Sequence, residues 1–350
     1  MMKTISFSNA VSIKEYALKH CDQTLILFGK NQLVTTAIEL MPENVVLCST
    51  ERLVSSTGVS ETGFSGLVVA SQYTELVPID EPPILSLASL QQAYQQVAAD
   101  PNAFLLLLCD GCQAHEEMIL TSFYFLDPHF KMIGGSAADE NKGQTVISLG
   151  NKKIPNLAIF FSLPAKTLLI KENLYLPIGK RLLVTKADPL KRVVYTFNGR
   201  PAAEEYANQL GISVAELTAS FIRHPIGKKR GEDIYINSPQ RINDDHSISF
   251  YAQIIPNTFV EILTPGKIDQ ILTKTRQQIG QAELLFSIHC TLRSRYLTQS
   301  QQWGKVLASL NQVATQQIGF VSNGEQFNWQ HLNQTMVLLA IKENTEMGDD

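Results

Sequence analysis

The chain has 350 residues, 44% of them hydrophobic and 18% charged, with a net charge of −4. That balance describes a globular protein with chain enough for a full core, and its length suggests two domains. A slight acidic excess serves neither a nucleic-acid groove nor a broad membrane-binding surface, so both are set aside.

In chain order, Thr24 to Phe28 reads as a buried strand closing on Gly29, Leu33 to Leu40 as a helix stopped by Pro42, and Val45 to Cys48 as a second strand. Phe64 to Ala70 is a continuous run, expected to be covered on both faces. Leu85 to Ala98 carries Leu87, Leu90, Tyr94 and Val97 at helical spacing. The most organised stretch is 104–140. An apolar strand, Phe104 to Leu108, enters Cys109-Asp110-Gly111-Cys112, a helix runs to Phe125, and a second run closes on Gly134-Gly135-Ser136. Ligands gather at the carboxyl ends of strands in such units, which puts Asp110-Gly111 and Gly134-Gly135-Ser136 at a candidate site. Close backbone packing is the other reason for paired glycines.

Beyond 140, strands follow one another at Thr145–Leu149, Ala158–Ser162 and Thr167–Ile170, a change from α/β to α+β. Val193 to Phe197, a helix from Pro201 to Gly211 and another opened by Ser213 come next. Arg223 to Gly231 reads as a basic loop, with a domain boundary just before it. Strands are expected near 234–236, 247–254 and 258–264, a helix over 267–279, a strand at Leu284–Cys290 and a long helix over about 299–316. Final strands are expected at Ile318–Val321 and Thr335–Ile341, before a frayed acidic tail. The fold class is thus α/β to α+β, with mixed sheets, packed helices and two parts: 24–221, 222–341 and a polar tail at 342–350.

Few residues invite chemistry. Cys109-x-x-Cys112 admits a dithiol redox pair, a partial metal site or two ordinary cysteines. No P-loop, dinucleotide fingerprint, nucleophile elbow or His-x-x-x-His pair occurs. Five cysteines, an odd number, suit reduced thiols in a cytoplasmic protein, and no apolar run is long enough for a signal core or a membrane span. His224, held extended by Pro225 in the basic loop, is either an ordinary histidine or a haem-iron ligand with cations for the propionates. Arg293 and Arg295 are an anion clamp or surface charge.

Several stretches together resemble one family, the FIST sensory domain with its N- and C-terminal parts. The resemblance is carried by Val45 to Thr50, Leu106 to Gly111, Ile133 to Asp139 and Phe197 to Ala202 with Tyr206. It continues through His224 to Gly227, Cys290 to Arg293, Asn323 to Glu325 and Asn333 to Thr335. It covers nearly the whole chain. It implies a non-catalytic signal-input protein that binds a small ligand such as an amino acid. The absence of a fused output module makes it similar to stand-alone members that bind haem, sense nitric oxide and regulate a partner histidine kinase. Leu292 stands where the commoner pattern has Gly, and Asn323-Gly324-Glu325 replaces a more glycine-rich run. The expected ligand-binding residues are Gly134, Gly135, Ser136, Arg293, Asn323, Glu325, Asn333 and Thr335, with His224 as the haem and metal ligand. A thiol redox enzyme using Cys109 and Cys112 is the alternative.

Overall fold

The computed structural model describes residues 2–139, 143–231 and 233–342, so Glu140 and the tail from Glu343 onward lie outside the described residues. The chain repeats one pattern three times: strand, helix, strand, helix, strand, hairpin, strand. The first copy is β1 (Lys3–Phe7), α1 (Ala10–Lys19), β2 (Gln23–Gly29), α2 (Asn31–Ala37), β3 (Val45–Ser49), the hairpin β4 (Leu53–Ser55) and β5 (Gly58–Ser60), and β6 (Phe64–Ala70). The second is β7 (Thr74–Ile79), α3 (Leu87–Val97), β8 (Phe104–Cys109), α4 (Glu116–Leu126), β9 (Met132–Ser136), the hairpin β10 (Ile147–Leu149) and β11 (Lys152–Ile154), and β12 (Asn156–Phe161).

The third copy opens with β13 (Lys166–Asn173) and is then interrupted by an insertion. The insertion holds β14 (Tyr175–Asp188), β15 (Val193–Phe197), β16 (Arg200–Pro201), α5 (Ala202–Leu210), α6 (Val214–Ser220), β17 (Ile226–Arg230), β18 (Asp233–Asn237), β19 (Pro239–Ile242), β20 (Ile248–Phe250) and β21 (Phe259–Pro265). The copy resumes with α7 (Ile268–Ile279), β22 (Ala282–Cys290), α8 (Thr291–Gln299), α9 (Trp303–Leu310), β23 (Ala314–Ser322), the hairpin β24 (Glu325–Phe327) and β25 (Gln330–Leu332), and β26 (Thr335–Lys342).

Each copy builds a mixed sheet around one parallel pair: β2 with β3, β8 with β9, and β22 with β23. The hairpins are exchanged cyclically. That of the first copy pairs with β23, that of the second with β3, and that of the third with β9. The orders are β1-β6-β2-β3-β10-β11, β7-β12-β8-β9-β24-β25 and β13-β26-β22-β23-β4-β5. The exchange ties the three sheets into one body whose inner faces share a central core.

This arrangement explains the continuous apolar runs. Side chains alternate across a strand, so a strand between two cores needs apolar residues at every position. In β8, Leu106 and Leu108 enter the central core, while Leu105 and Leu107 face α3 and α4. Phe28 stacks on Phe320 at 4.0 Å between ring centroids, joining the first sheet to the third. Gly135 makes room for this packing, because a Cβ there would stand 2.8 Å from Phe320 and 2.7 Å from Ile288. A Cβ at Gly134 would stand 2.5 Å from the Leu107 carbonyl oxygen. The paired glycines thus satisfy close packing inside a sheet.

The insertion, 175–265, forms an antiparallel sheet with α5 and α6 on its own core of Leu182, Phe197, Tyr206, Ile226 and Ile262, and is called the cap below. Its first and last strands pair with each other, Tyr175 opposite Pro265. The boundary expected at 221/222 falls inside this cap, between α6 and β17, where no composition change marks how β14 and β15 pair with later strands. Part of the basic loop expected at 223–231 is strand β17, hydrogen-bonded to β18 and β21. Of the helix expected over 299–316 only α9, Trp303–Leu310, is present: α8 has already ended at Gln299 before a break, and β23 begins at Ala314. Gln301 adopts φ 55° at that break, where no Gly or Pro announces it.

Candidate functional site

A parallel strand pair ends where its following loops must turn away, which leaves polar side chains and helix starts at the carboxyl edge. Here three such edges meet. The exits are cross-linked through backbone: Ala138 N–H to Ser49 O, Glu51 N–H to Val321 O, and Asn323 N–H to Ser136 O. Each exit begins with a buried serine, Ser49, Ser136 or Ser322.

Beside this junction, roofed by the cap, lies a cavity of about 300 Å³. The body contributes Glu51, Gly111, Cys112, Glu116, Ala138, Asp139, Thr145, Cys290, Thr291, Leu292, Arg295, Asn323 and Asn333. The cap contributes Lys191, Arg192, Gln240, Phe250 and Tyr251. The glycine after β8 is required here, since a Cβ on Gly111 would lie 2.0 Å from the Ala137 carbonyl oxygen. Asn323 fixes the same loop by donating to the Gly111 carbonyl at 2.7 Å.

The charges are placed unequally. Arg192, in a left-handed backbone turn at the tip of the β14–β15 hairpin, reaches from the cap to both Glu116 (2.7 Å) and Glu117 at the start of α4. Burial alone would push the Glu116 carboxyl up, but His331 and the Arg192 guanidinium hold it below the usual carboxylate range. Glu51 accepts from Thr291 Oγ1 at 2.5 Å. Arg295, half-buried, makes no ion pair or side-chain hydrogen bond among the described residues. α8 starts in the cavity wall and has no side-chain cap on its first N–H groups; the Cys290 thiol is buried there, and burial pushes it well up. The cavity therefore offers an uncommitted guanidinium and a helix N-terminus for an anionic group, carboxylates for a cationic one, and amides for neutral polar atoms.

The structure brings some expected residues together and separates others. Asn323 and Asn333 line the cavity, and Asn333 Oδ1 also accepts from the cap's Ser238 N–H at 3.2 Å. Gly134, Gly135 and Ser136 lie within β9, with β8 and β24 on either side, so the glycine N–H groups form no free anion cradle. Ser136 supports the wall from behind, donating to Glu116 Oε1 at 2.9 Å. Glu325 and Thr335 are buried beside it. Thr335 Oγ1 donates to Glu325 at 2.8 Å and Ser322 Oγ does so at 3.0 Å, while burial raises the Glu325 carboxyl to about 8.

Arg293 is fully buried and ion-paired with Glu172, which also accepts from Thr275 Oγ1 at 2.6 Å; it is a core ion pair and lines neither this cavity nor the second one described below. His224 holds Nδ1 3.1 Å from the Leu263 carbonyl oxygen, which leaves Nε2 as the nitrogen for a metal. It lines neither of those two cavities, and Lys228 and Arg230 line the second without it. His224 is thus an oriented ring that lies outside both of those cavities. Among the described residues no group of three or more His, Cys, Asp or Glu is placed to hold a metal ion. Cys109 is buried with its thiol pushed well up by burial, while Cys112 is exposed.

Sequence reading missed Glu51, Arg192 and Tyr251. A usable signal existed for the first: Ser49 closes a buried strand with Glu51 two residues on, as Ser136 and Ser322 precede Asp139 and Glu325 by three. Arg192 carried none, because its role depends on the cap folding over α4.

The cavity thus lies where three strand ends converge, walled by the body on one side and the cap on the other. In the comparison with known families, residues 25–200 match the FIST N domain and residues 202–328 the FIST C domain, so the chain belongs to the FIST family. These domains are associated with sensory signal-transduction proteins that bind small ligands. No curated protein was found to match the chain. Among the described residues no helix is long and apolar enough to cross a membrane.

Proposed function

We propose that the protein is a sensor for a small zwitterion of the amino-acid type, bound in the cavity under the cap. The observation that carries this reading is the meeting of unlike charges in one small wall: Arg295 and the α8 N-terminus for a carboxylate, and Asp139 with Glu51, which also accepts from Thr291, for an ammonium group. The cap and the body both contribute to the wall, so a ligand bridging them favours one cap position over others, which is what shifting a conformational population requires. The shift would be read by a partner protein; a histidine kinase is the partner that the family resemblance suggests. Calorimetric titration with the common amino acids tests the reading. Binding is expected for a subset, with loss in Arg295→Met and in Glu51→Gln. Binding that survives both substitutions, or no binding at all, refutes it.

A second reading, haem with nitric oxide as the signal, is favoured by one feature, the His224 Nδ1 contact to the Leu263 carbonyl that orients the ring. Its test is the absorption spectrum of protein produced with added haem. A Soret band that disappears in His224→Ala supports it, and absence of a band removes it.

A further inference from the structure

A second cavity of about 500 Å³ lies on the other side of the Arg192 contact. Glu116 and Arg192 face the first cavity, and Glu117 faces the second, so one charged cap–body contact separates the two. The chemistry of the second cavity differs. One face of the β17–β18 hairpin presents Lys228, Arg230 and Tyr235, and the facing β24–β25 hairpin and α4 present Phe327, Trp329 and Tyr124.

Its acid is already used, because Glu117 accepts from the Gln253 N–H at 2.8 Å and binds Arg192. Its cations are not: Lys228 and Arg230 make no ion pair among the described residues, and Arg230 lies 5.7 Å from the centre of the Tyr235 ring. Tyr124, which lines it, is 55% exposed, a cost in water that a flat apolar ligand would relieve. His331 offers no free nitrogen to a metal. Nδ1 meets Gln326 Nε2 at 3.2 Å, and Nε2 is turned toward Glu116 Oε1 at 4.0 Å.

We infer that this cavity is a second binding site, for a planar aromatic anion whose ring lies among Tyr124, Phe327 and Trp329 and whose negative group meets Lys228 and Arg230. Aromatic walls favour a flat π-system, and the half-buried Lys228 with the exposed Arg230, neither in an ion pair among the described residues, favours negative charge at its edge. The inference does not depend on what fills the first cavity.

The protein has two tryptophans, so Trp303→Phe leaves Trp329 as its only indole. In that protein, excitation of the indole should sensitise emission from bound 1-anilinonaphthalene-8-sulfonate. Lys228→Gln/Arg230→Gln should weaken the dye by about tenfold while leaving binding of the uncharged N-phenyl-1-naphthylamine unchanged, which also shows that the variant is folded. Displacement by adenosine monophosphate or by indole-3-acetate then separates a phosphate-bearing from a carboxylate-bearing ligand. Absence of sensitised emission, equal loss of both dyes, or displacement by neither competitor overturns the proposal.

Discussion

Arg293 and Arg295 are two residues apart on α8, and two residues on a helix point to nearly opposite faces. They should therefore fail in opposite ways. Arg293 is fully buried against Glu172, whose side chain is 1% exposed. Arg293→Met leaves that carboxylate without its countercharge, and breaking a buried pair from one side costs about 3–5 kcal/mol. For 350 residues, with an unfolding entropy of about 2.1 cal/mol/K per residue, that loss lowers Tm by about 4–7 °C. Replacing both partners, Arg293→Met with Glu172→Met, should recover much of it, since apolar side chains need no countercharge. Arg295→Met removes a half-buried cation that has no ion-pair partner among the described residues, so stability should move by no more than about 0.5 kcal/mol. If Arg295 holds the ligand carboxylate, the same substitution costs about 1.5–3 kcal/mol of binding, or roughly 10- to 150-fold in Kd. Differential scanning calorimetry with and without ligand measures both effects. A stable Arg293→Met protein that has lost its ligand would refute the assignment and return Arg293 to the binding site.

Three further outcomes follow from burial and packing. The Glu325 carboxyl is raised from 4.5 to about 8 in the folded protein, so the folded state holds the extra proton between those values. Stability should then fall as pH rises from about 4.5 toward 8, by up to about 1.4 kcal/mol per pH unit, and Glu325→Gln should flatten that part of the urea-denaturation profile; an unchanged slope counts against it. Alkylation of the native protein at neutral pH should label the exposed Cys21 and Cys112 and spare the buried Cys48, Cys109 and Cys290. Rapid labelling of Cys109 would instead favour a thiol redox role. Gly135→Ala forces Phe320 and Ile288 aside and should cost about 1–3 kcal/mol with ligand affinity retained; reduced affinity at full stability would make Gly135 a contact residue.

What the sequence made legible was set by the range of the forces involved. The runs at Thr24–Phe28, Val45–Cys48, Phe104–Leu108 and Leu284–Cys290 declare themselves because each becomes a strand buried on both faces and is apolar at most positions, with Thr24, Ser287 and His289 as buried polar exceptions. The turn Asp110-Gly111 and the pairs of parallel strands follow from local spacing, and they place the carboxyl edge correctly. Hidden in the sequence was the threefold repeat, since the copies share a pattern of elements and little residue identity beyond a serine at each exit. The hairpin exchange was hidden too: a three-residue strand such as Leu53–Ser55 carries no signal for a partner more than 250 residues away at Gly319. The same limit explains Arg293 and Arg295. Both follow a buried strand and look alike, and only the position of Glu172 on a distant strand decides which of them is committed.

The exchange of hairpins also bears on how a binding event could leave the site. The β24–β25 hairpin belongs to the third copy, pairs with β9 of the second, and carries Phe327, Trp329 and His331 into the second cavity. Behind it, Gln326 donates to Ser136 Oγ at 3.0 Å, and Ser136 donates to Glu116 at 2.9 Å. Glu116 meets Arg192 of the cap. A continuous polar path therefore runs from the wall of one cavity to the wall of the other, through buried groups that cannot exchange partners with water. Such groups move together or not at all, because an unpaired buried carboxylate is costly. Separating cap from body at Arg192 would strand both Glu116 and Glu117. If the proposed ligands bind on either side of this contact, both would act on the same buried charges, which is how the two sites would be coupled.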